Sequence, residues 1–174
     1  MRGALAGAAA AAVWWAQQPL DRRLFGVAYD DTELLGKAVT RGAYWPVAGV
    51  ALHLANGAGF GAAFAALAPR GPLPRGALAG AAAGLAEHLA TWPLTAAADR
   101  FHPARAELPT LWGDRRAFAQ ATWRHLLFGA VLGELERRLN GADAPPALSY
   151  EAIVGSNGHG DLEHAAVASG PARG

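Results

Sequence analysis

The chain reads as an all-α integral membrane protein, a four-helix bundle built from two tandem duplicated helical hairpins with amphipathic surface connections. Three observations predict this. First, RGALAGAAA stands at residues 2–10 and again at 75–83, an offset of 73 positions from Arg2 to Arg75. His53-Leu54-x-x-Gly57-Ala58-x-x-Gly61 returns as His125-Leu126-x-x-Gly129-Ala130-x-x-Gly133, an offset of 72, and Glu33-Leu34 returns between them as Glu107-Leu108. Matches kept in order at one spacing are the signature of a repeated unit. Second, apolar residues make up 52% of the chain and charged residues 17%, below the roughly 25% charged of soluble domains. The charges crowd into 21–41, 99–116 and the end of the chain. Third, four stretches almost bare of polar side chains carry glycines four apart: Gly3/Gly7, Gly57/Gly61, Gly76/Gly80/Gly84 and Gly129/Gly133. Lipid tails are as apolar as the helices, so helices associate in lipid through close backbone approach, which such ridges permit. In water each of these glycines would weaken a helix by roughly 1 kcal/mol relative to alanine.

The first helix, 3–16, has no polar side chain and leaves at Pro19-Leu20-Asp21. Arg2 followed by an apolar run is also how a signal peptide opens. Its counterpart begins at Arg75, inside the chain, so a retained helix is expected. Asp30-Asp31-Thr32-Glu33 before Leu34-Leu35-x-x-Ala38-Val39, with Lys37 and Arg41 following, predicts an N-capped amphipathic helix. Such a helix would lie on the membrane surface or cover the mouth of the bundle. Helix two, 46–68, has only His53 and Asn56 as polar residues, and 57–68 has none anywhere round its circumference. A helix facing water confines its apolar residues to a stripe of about 100°. Helix three, 76–98, carries Glu87, His88, Thr91 and Thr95, with an apolar break at Trp92-Pro93. Helix four, 118–135, carries Gln120, Thr122, Arg124, His125 and Glu134 and ends at Asn140-Gly141. The second and third stretches reach the roughly 20 residues that cross a bilayer, while the first and fourth are marginal alone. A transmembrane domain is therefore expected over 1–140, with repeat one about 2–70 and repeat two about 75–140, followed by a disordered tail over 141–174.

Two hairpins return the chain to its starting side, and the halves of such a parallel repeat are related by an axis along the membrane normal. The long connections carry most of the arginine and lysine, which the positive-inside rule places in the cytoplasm. A membrane location with several crossings is expected. The expected partners are lipid and either a second copy or a membrane partner subunit.

The tryptophans, Trp14, Trp15, Trp45, Trp92, Trp112 and Trp123, fall toward the long-connection side, as an interfacial belt or a tryptophan-lined mouth. The ionisable residues share that level. His53 lies seven residues past Pro46 and His125 seven past Phe118, each about 10 Å along its helix, and His88 lies about 15 Å in from the same side on a helix running the other way. Glu87, Arg124, Asn56, Gln17, Gln18, Gln120 and Thr91 lie within a turn or two. Charged side chains in a bilayer face the bundle interior and pair, which makes Glu87 with Arg124 the natural ion pair. It belongs to the second half alone, since Glu87, His88 and Arg124 align with Trp14, Trp15 and Leu52.

What chemistry follows is narrower. A net charge of +1 gives no basis for nucleic acid, and the lack of cysteine removes disulfides, thiolates and cysteine-based metal sites. No Gly-x-Ser-x-Gly, phosphate loop, dinucleotide fingerprint or His-Glu-x-x-His occurs, so the expectation is a non-enzymatic protein with no cofactor. The polar layer of His53, Glu87, His88, Arg124 and His125, with Asn56, Gln18 and Gln120 beside it, reads in three ways. It is a structural lock on helix register, a proton or small-solute site in which a Glu–His pair titrates near neutral pH, or a haem or metal site held by histidines on facing helices.

With His53-Leu54-x-x-Gly57-x-x-Phe60-Gly61 in helix two and Glu87-His88 before Trp92-Pro93-Leu94 in helix three, residues 1–140 resemble the small four-helix bacterial inner-membrane proteins of the YagU-like kind. The resemblance implies a four-helix membrane fold and a link to acid tolerance, with no catalytic residues to carry over.

Overall fold

A computed structural model describes residues 1–67 and 76–140. These residues hold six helices and no strand: α1 (Arg2–Phe25), α2 (Asp31–Val39), α3 (Trp45–Leu67), α4 (Ala77–Ala96), α5 (Ala98–Phe101) and α6 (Arg115–Asn140). The expected turn around 69–74 and the expected tail over 141–174 lie outside the described residues.

α1 is longer than expected. Pro19 lacks an amide hydrogen and interrupts one helical bond, yet the helix continues to Phe25 and ends on Gly26. Gly26 has φ 67°, a left-handed conformation that suits glycine, and its N–H donates to the Arg22 carbonyl. A tertiary contact explains the continuation: Asp21, past the proline, is wholly buried against α6. Pro93 is likewise carried within α4 and does not break it. α2 forms as its sequence predicts. The Asp30 carboxylate accepts from the Thr32 and Glu33 amides, the N-cap arrangement that satisfies otherwise orphaned donors. At the start of α6 Asp114 does the same for Arg116 and Ala117.

The glycines decide how the helices meet. A Cβ on Gly7 would overlap the Gly57 carbonyl oxygen, and one on Gly61 would overlap that of Gly3. α1 and α3 are thus backbone to backbone and antiparallel. The same holds for α4 and α6, where a Cβ on Gly80 would overlap the Gly129 oxygen and one on Gly133 that of Gly76. The paired positions of the two seams differ by 72 or 73 residues. α1 also packs on α6, so the long helices follow the order α4, α6, α1, α3. α2 packs on α3 through two further glycines, Gly36 under the Trp45 carbonyl and Gly49 under that of Thr32.

Two small apolar clusters result. One joins Ala6, Ala10, Ala11 and Trp14 to Phe128 and Leu132. The other, under the connections, joins Val27, Tyr29, Ala96, Leu111, Ala117 and Ala121. Among the described residues one helix, Trp45–Leu67, is long and apolar enough to cross a membrane, with 17% of its apolar stretch buried. The stretch 76–98, expected to be a second, falls short of that class, because Glu87 and His88, with the polar or weakly apolar Thr91, Trp92 and Pro93, offset its leucines and alanines.

Candidate functional site

The polar layer exists, with different pairing from that expected. Arg124 does not pair with Glu87. Its guanidinium, fully buried, grips Asp21 with two bonds, Nε to Oδ2 at 2.6 Å and Nη2 to Oδ1 at 2.7 Å. It reaches Asp31 Oδ2 at 2.9 Å and the Tyr29 carbonyl at 3.0 Å. Such two-pronged bonding is what the planar guanidinium favours. Asp21 and Asp31 occupy the guanidinium, and Glu87 pairs with His125 instead. Neither Asp21, beyond a proline, nor Asp31, in a first turn rich in acids, signalled burial in the sequence.

Gln120 joins the same network and donates to Asp21 Oδ1 at 2.7 Å, while Gln17 donates to Oδ2 at 2.6 Å. Gln18 is buried as well, and its amide nitrogen has no partner among the described residues. Asp31 accepts from Trp14 Nε1 at 3.1 Å and from the Tyr29 hydroxyl. Burial, and then the charge of Asp31, push the Tyr29 phenol well above its ordinary pKa, so Tyr29 stays a neutral donor. The α1–α2 connection is thereby tied down onto α6. Beside it, Arg22 Nη2 lies 2.5 Å from Asp30 Oδ2.

Under this connection lies a cavity of ≈ 210 Å³, lined from α1 by Trp14, from α2 by Asp31 and Leu34, from α3 by His53, Asn56 and Phe60, from α4 by Glu87, His88 and Trp92, and from α6 by His125 and Phe128. Of the expected layer, His53, Asn56, Glu87, His88 and His125 face this space, three histidines from three helices. Arg124 and Gln120 instead gather on Asp21 and, with Gln18, are not part of the described lining. Each histidine is held differently. His53 Nε2 lies 3.1 Å from the Ala11 carbonyl and its ring meets Trp14 at 5.2 Å. His88 is almost wholly buried, 3.0 Å from the Thr122 hydroxyl and 4.7 Å from the His125 ring. Because the Thr122 hydroxyl donates its hydrogen to the Phe118 carbonyl, it accepts from His88 Nε2–H.

His125 carries the decisive geometry. Its Nδ1 is 2.8 Å from the Ala121 carbonyl, an acceptor only, so Nδ1 bears a hydrogen. Its Nε2 is 2.9 Å from Glu87 Oε2. A lone pair facing a carboxylate would repel it, so the contact holds a second proton between the two groups. Positions 73 and 72 residues earlier are Trp14 and His53, which meet in the first half as Glu87 and His125 meet in the second.

The tryptophans divide. Trp14 and Trp92 line the cavity, whereas Trp15, Trp112 and Trp123 are exposed. The second connection closes over α2: Lys37 Nζ lies 2.9 Å from Glu107 Oε2, Arg41 pairs with the other oxygen, and His102 Nε2 donates to the Leu34 carbonyl at 2.9 Å while its Nδ1 accepts from the Ala104 amide. Asp99 caps the Leu111 and Trp112 amides. Glu33-Leu34 and Glu107-Leu108, singled out as a repeated dipeptide, thus meet in space through Lys37. Among the described residues no three His, Asp or Glu side chains are grouped as a metal ion requires. Compared with protein families, curated proteins and solved structures, the chain matches none.

Proposed function

We propose that this is a non-enzymatic, multi-pass protein of the bacterial inner membrane whose polar layer takes up a proton, together with a small solute, in the cavity between α3 and α4. The observation that carries the reading is the Glu87–His125 contact. It opens on the cavity with the Glu87 side chain 35% exposed, and its geometry needs a bound proton. Its neighbour Arg124 is fully occupied elsewhere, which leaves Glu87 free to exchange.

Several features support the membrane setting. α3 is of spanning length and outward-facing. α1 and α4 show Leu5, Val13, Leu20, Leu78, Leu89 and Leu94 at their surfaces, more apolar surface than a small soluble monomer usually carries. Glycine seams between antiparallel helices suit lipid. The equivalence of the two seams, and of Trp14–His53 with Glu87–His125, supports descent from a duplicated hairpin whose second copy gained the acid. The YagU-like resemblance and its acid-tolerance role belong to the same proposal, since a proton-binding layer is one means of sensing or relieving acid.

The test is proton movement in vesicles. Protein reconstituted with a trapped pH dye should equilibrate an imposed pH step faster than empty vesicles, and Glu87→Gln should remove that difference. Equal rates for the two proteins would overturn the reading.

A further inference from the structure

We propose that the cavity binds a small organic ammonium ion, whose entry displaces the proton shared by Glu87 and His125. This rests on the proton-binding reading above and adds the class of solute.

The lining is chemically one-sided. Two carboxylates, Asp31 and Glu87, face the space, and among the described residues no lysine or arginine side chain does. Asp31 shares a single guanidinium, that of Arg124, with Asp21 behind the wall. Two carboxylates against one cation leave the cluster one positive charge short, in a region where uncompensated charge is costly. An anion would be repelled. The remaining walls are aromatic: Trp14, Tyr29, Phe60, Trp92 and Phe128. Such rings attract a cation held within about 6 Å of their faces, and boxes of this composition recognise alkylated ammonium groups. The ligand groups that a metal ion needs are not assembled among the described residues. At ≈ 210 Å³ the space is below the roughly 300–1,000 Å³ of sites for drug-sized molecules, so a compact amine fits and a bulky one does not.

Exchange follows from the hydrogen bonding. With the site empty of solute, one proton lies between Glu87 Oε2 and His125 Nε2. When the ammonium ion enters, that proton leaves to water. His125 keeps its Nδ1–H on the Ala121 carbonyl, and the Glu87 carboxylate turns its charge to the ammonium group. One positive charge enters and one leaves, so burial of charge does not grow. The other groups facing this pair are Asp31 on α2, Tyr29 on the α1–α2 connection, His53 on α3, His88 on α4 and, through Asp31, Arg124 on α6. From α1, Trp14 and Ala11 line the space, and neither titrates. Asp31 is held by Arg124, Trp14 and Tyr29, which leaves Glu87 as the carboxylate able to change partner.

The experiment uses the full chain in a maltoside detergent, free of choline headgroups. Choline is titrated against its uncharged isostere 3,3-dimethylbutan-1-ol, with sodium and potassium chloride as further arms. Binding is read from tryptophan fluorescence and from proton release in weak buffer near pH 7. The expected result is saturable choline binding with about one proton released, at least about tenfold weaker binding of the isostere, and loss of both signals in Glu87→Gln. Glu134→Gln, at the other end of α6, should bind choline as the natural chain does. Isostere binding equal to choline, or sodium or potassium competing at equal concentration, overturns the ammonium assignment. So does choline bound with no proton released. If choline fails to bind while vesicles still show Glu87-dependent proton movement, the solute class falls and the proton reading stands. If that proton movement is missing as well, both fall.

Discussion

At Arg124 a single side chain ties α1 and the α1–α2 connection to α6, and its worth is measured by what it would strand. Removing it leaves Asp21 buried with no cation. Breaking one side of a buried ion pair costs about 3–5 kcal/mol. Arg124→Met is therefore expected to lower thermal stability sharply in detergent, and Arg124→Met with Asp21→Asn to recover part of the loss, because the stranded charge is gone and the amide oxygen still accepts from Gln120. Equal melting of single and double variants would count against this. The pair anticipated from sequence, Glu87 with Arg124, should show no coupling in the same cycle, whereas Glu87 with His125 should. The residue types of the layer were legible: His53, Glu87, His88 and His125 line one cavity, and Arg124 bonds Asp31 on its wall. Their pairing was not, since it depends on helices α1 and α6 lying side by side.

For the helices, the glycine seams offer a cleaner contrast. Gly80 stands against the Gly129 carbonyl, and Gly59 has nothing within van der Waals reach of an added Cβ. Gly80→Ala should separate α4 from α6 at a cost of about 1–3 kcal/mol, as overpacking does. Gly59→Ala, in the same kind of helical setting, should stabilise by about 0.5–1 kcal/mol through reduced backbone freedom. Unfolding in mixed detergent reads both signs, and destabilisation by both would remove the seam as the cause. α2 is set by its cap. Burial alone would raise the Asp30 pKa, but the bonds from Thr32, the charge of Arg22 and the Glu33 amide outweigh it and hold the carboxyl below its ordinary value. A depressed carboxyl contributes stability fully above the unfolded pKa of about 3.9 and loses it as pH falls through the lower folded value. Protection of α2 amides from hydrogen exchange should accordingly weaken below about pH 4. Asp30→Ala should show the weakness at neutral pH, at about 0.5–2 kcal/mol. The cap was readable from Asp30-x-Thr32-Glu33. The docking of α2 on α3 was not, because it depends on Gly36 and Gly49, which belong to no glycine ladder.

For the molecule as a whole, an outer surface of Leu5, Leu78, Leu89, Leu94 and the apolar run of α3 surrounds a layer of charged and histidine side chains. The proposed membrane setting accounts for such a surface, whereas a soluble helical protein turns its polar groups out. The protein is expected in the membrane fraction after an alkaline carbonate wash and to need detergent for extraction. A folded monomer in plain buffer would contradict this.

Sequence alone determined that the chain is helical, where its repeats and small-residue ridges lie, and which ionisable residues share a level. Those are local or periodic properties, carried by spacing along one strand of chain. The tertiary structure decided that α1 runs on through Pro19, that Arg124 belongs to Asp21 and Asp31, and that Glu87 shares a proton with His125. Ion pairs form between groups whose distance is set by helix order and rotation, and a difference of a few ångströms in a low-dielectric interior outweighs any preference the residue types carry by themselves.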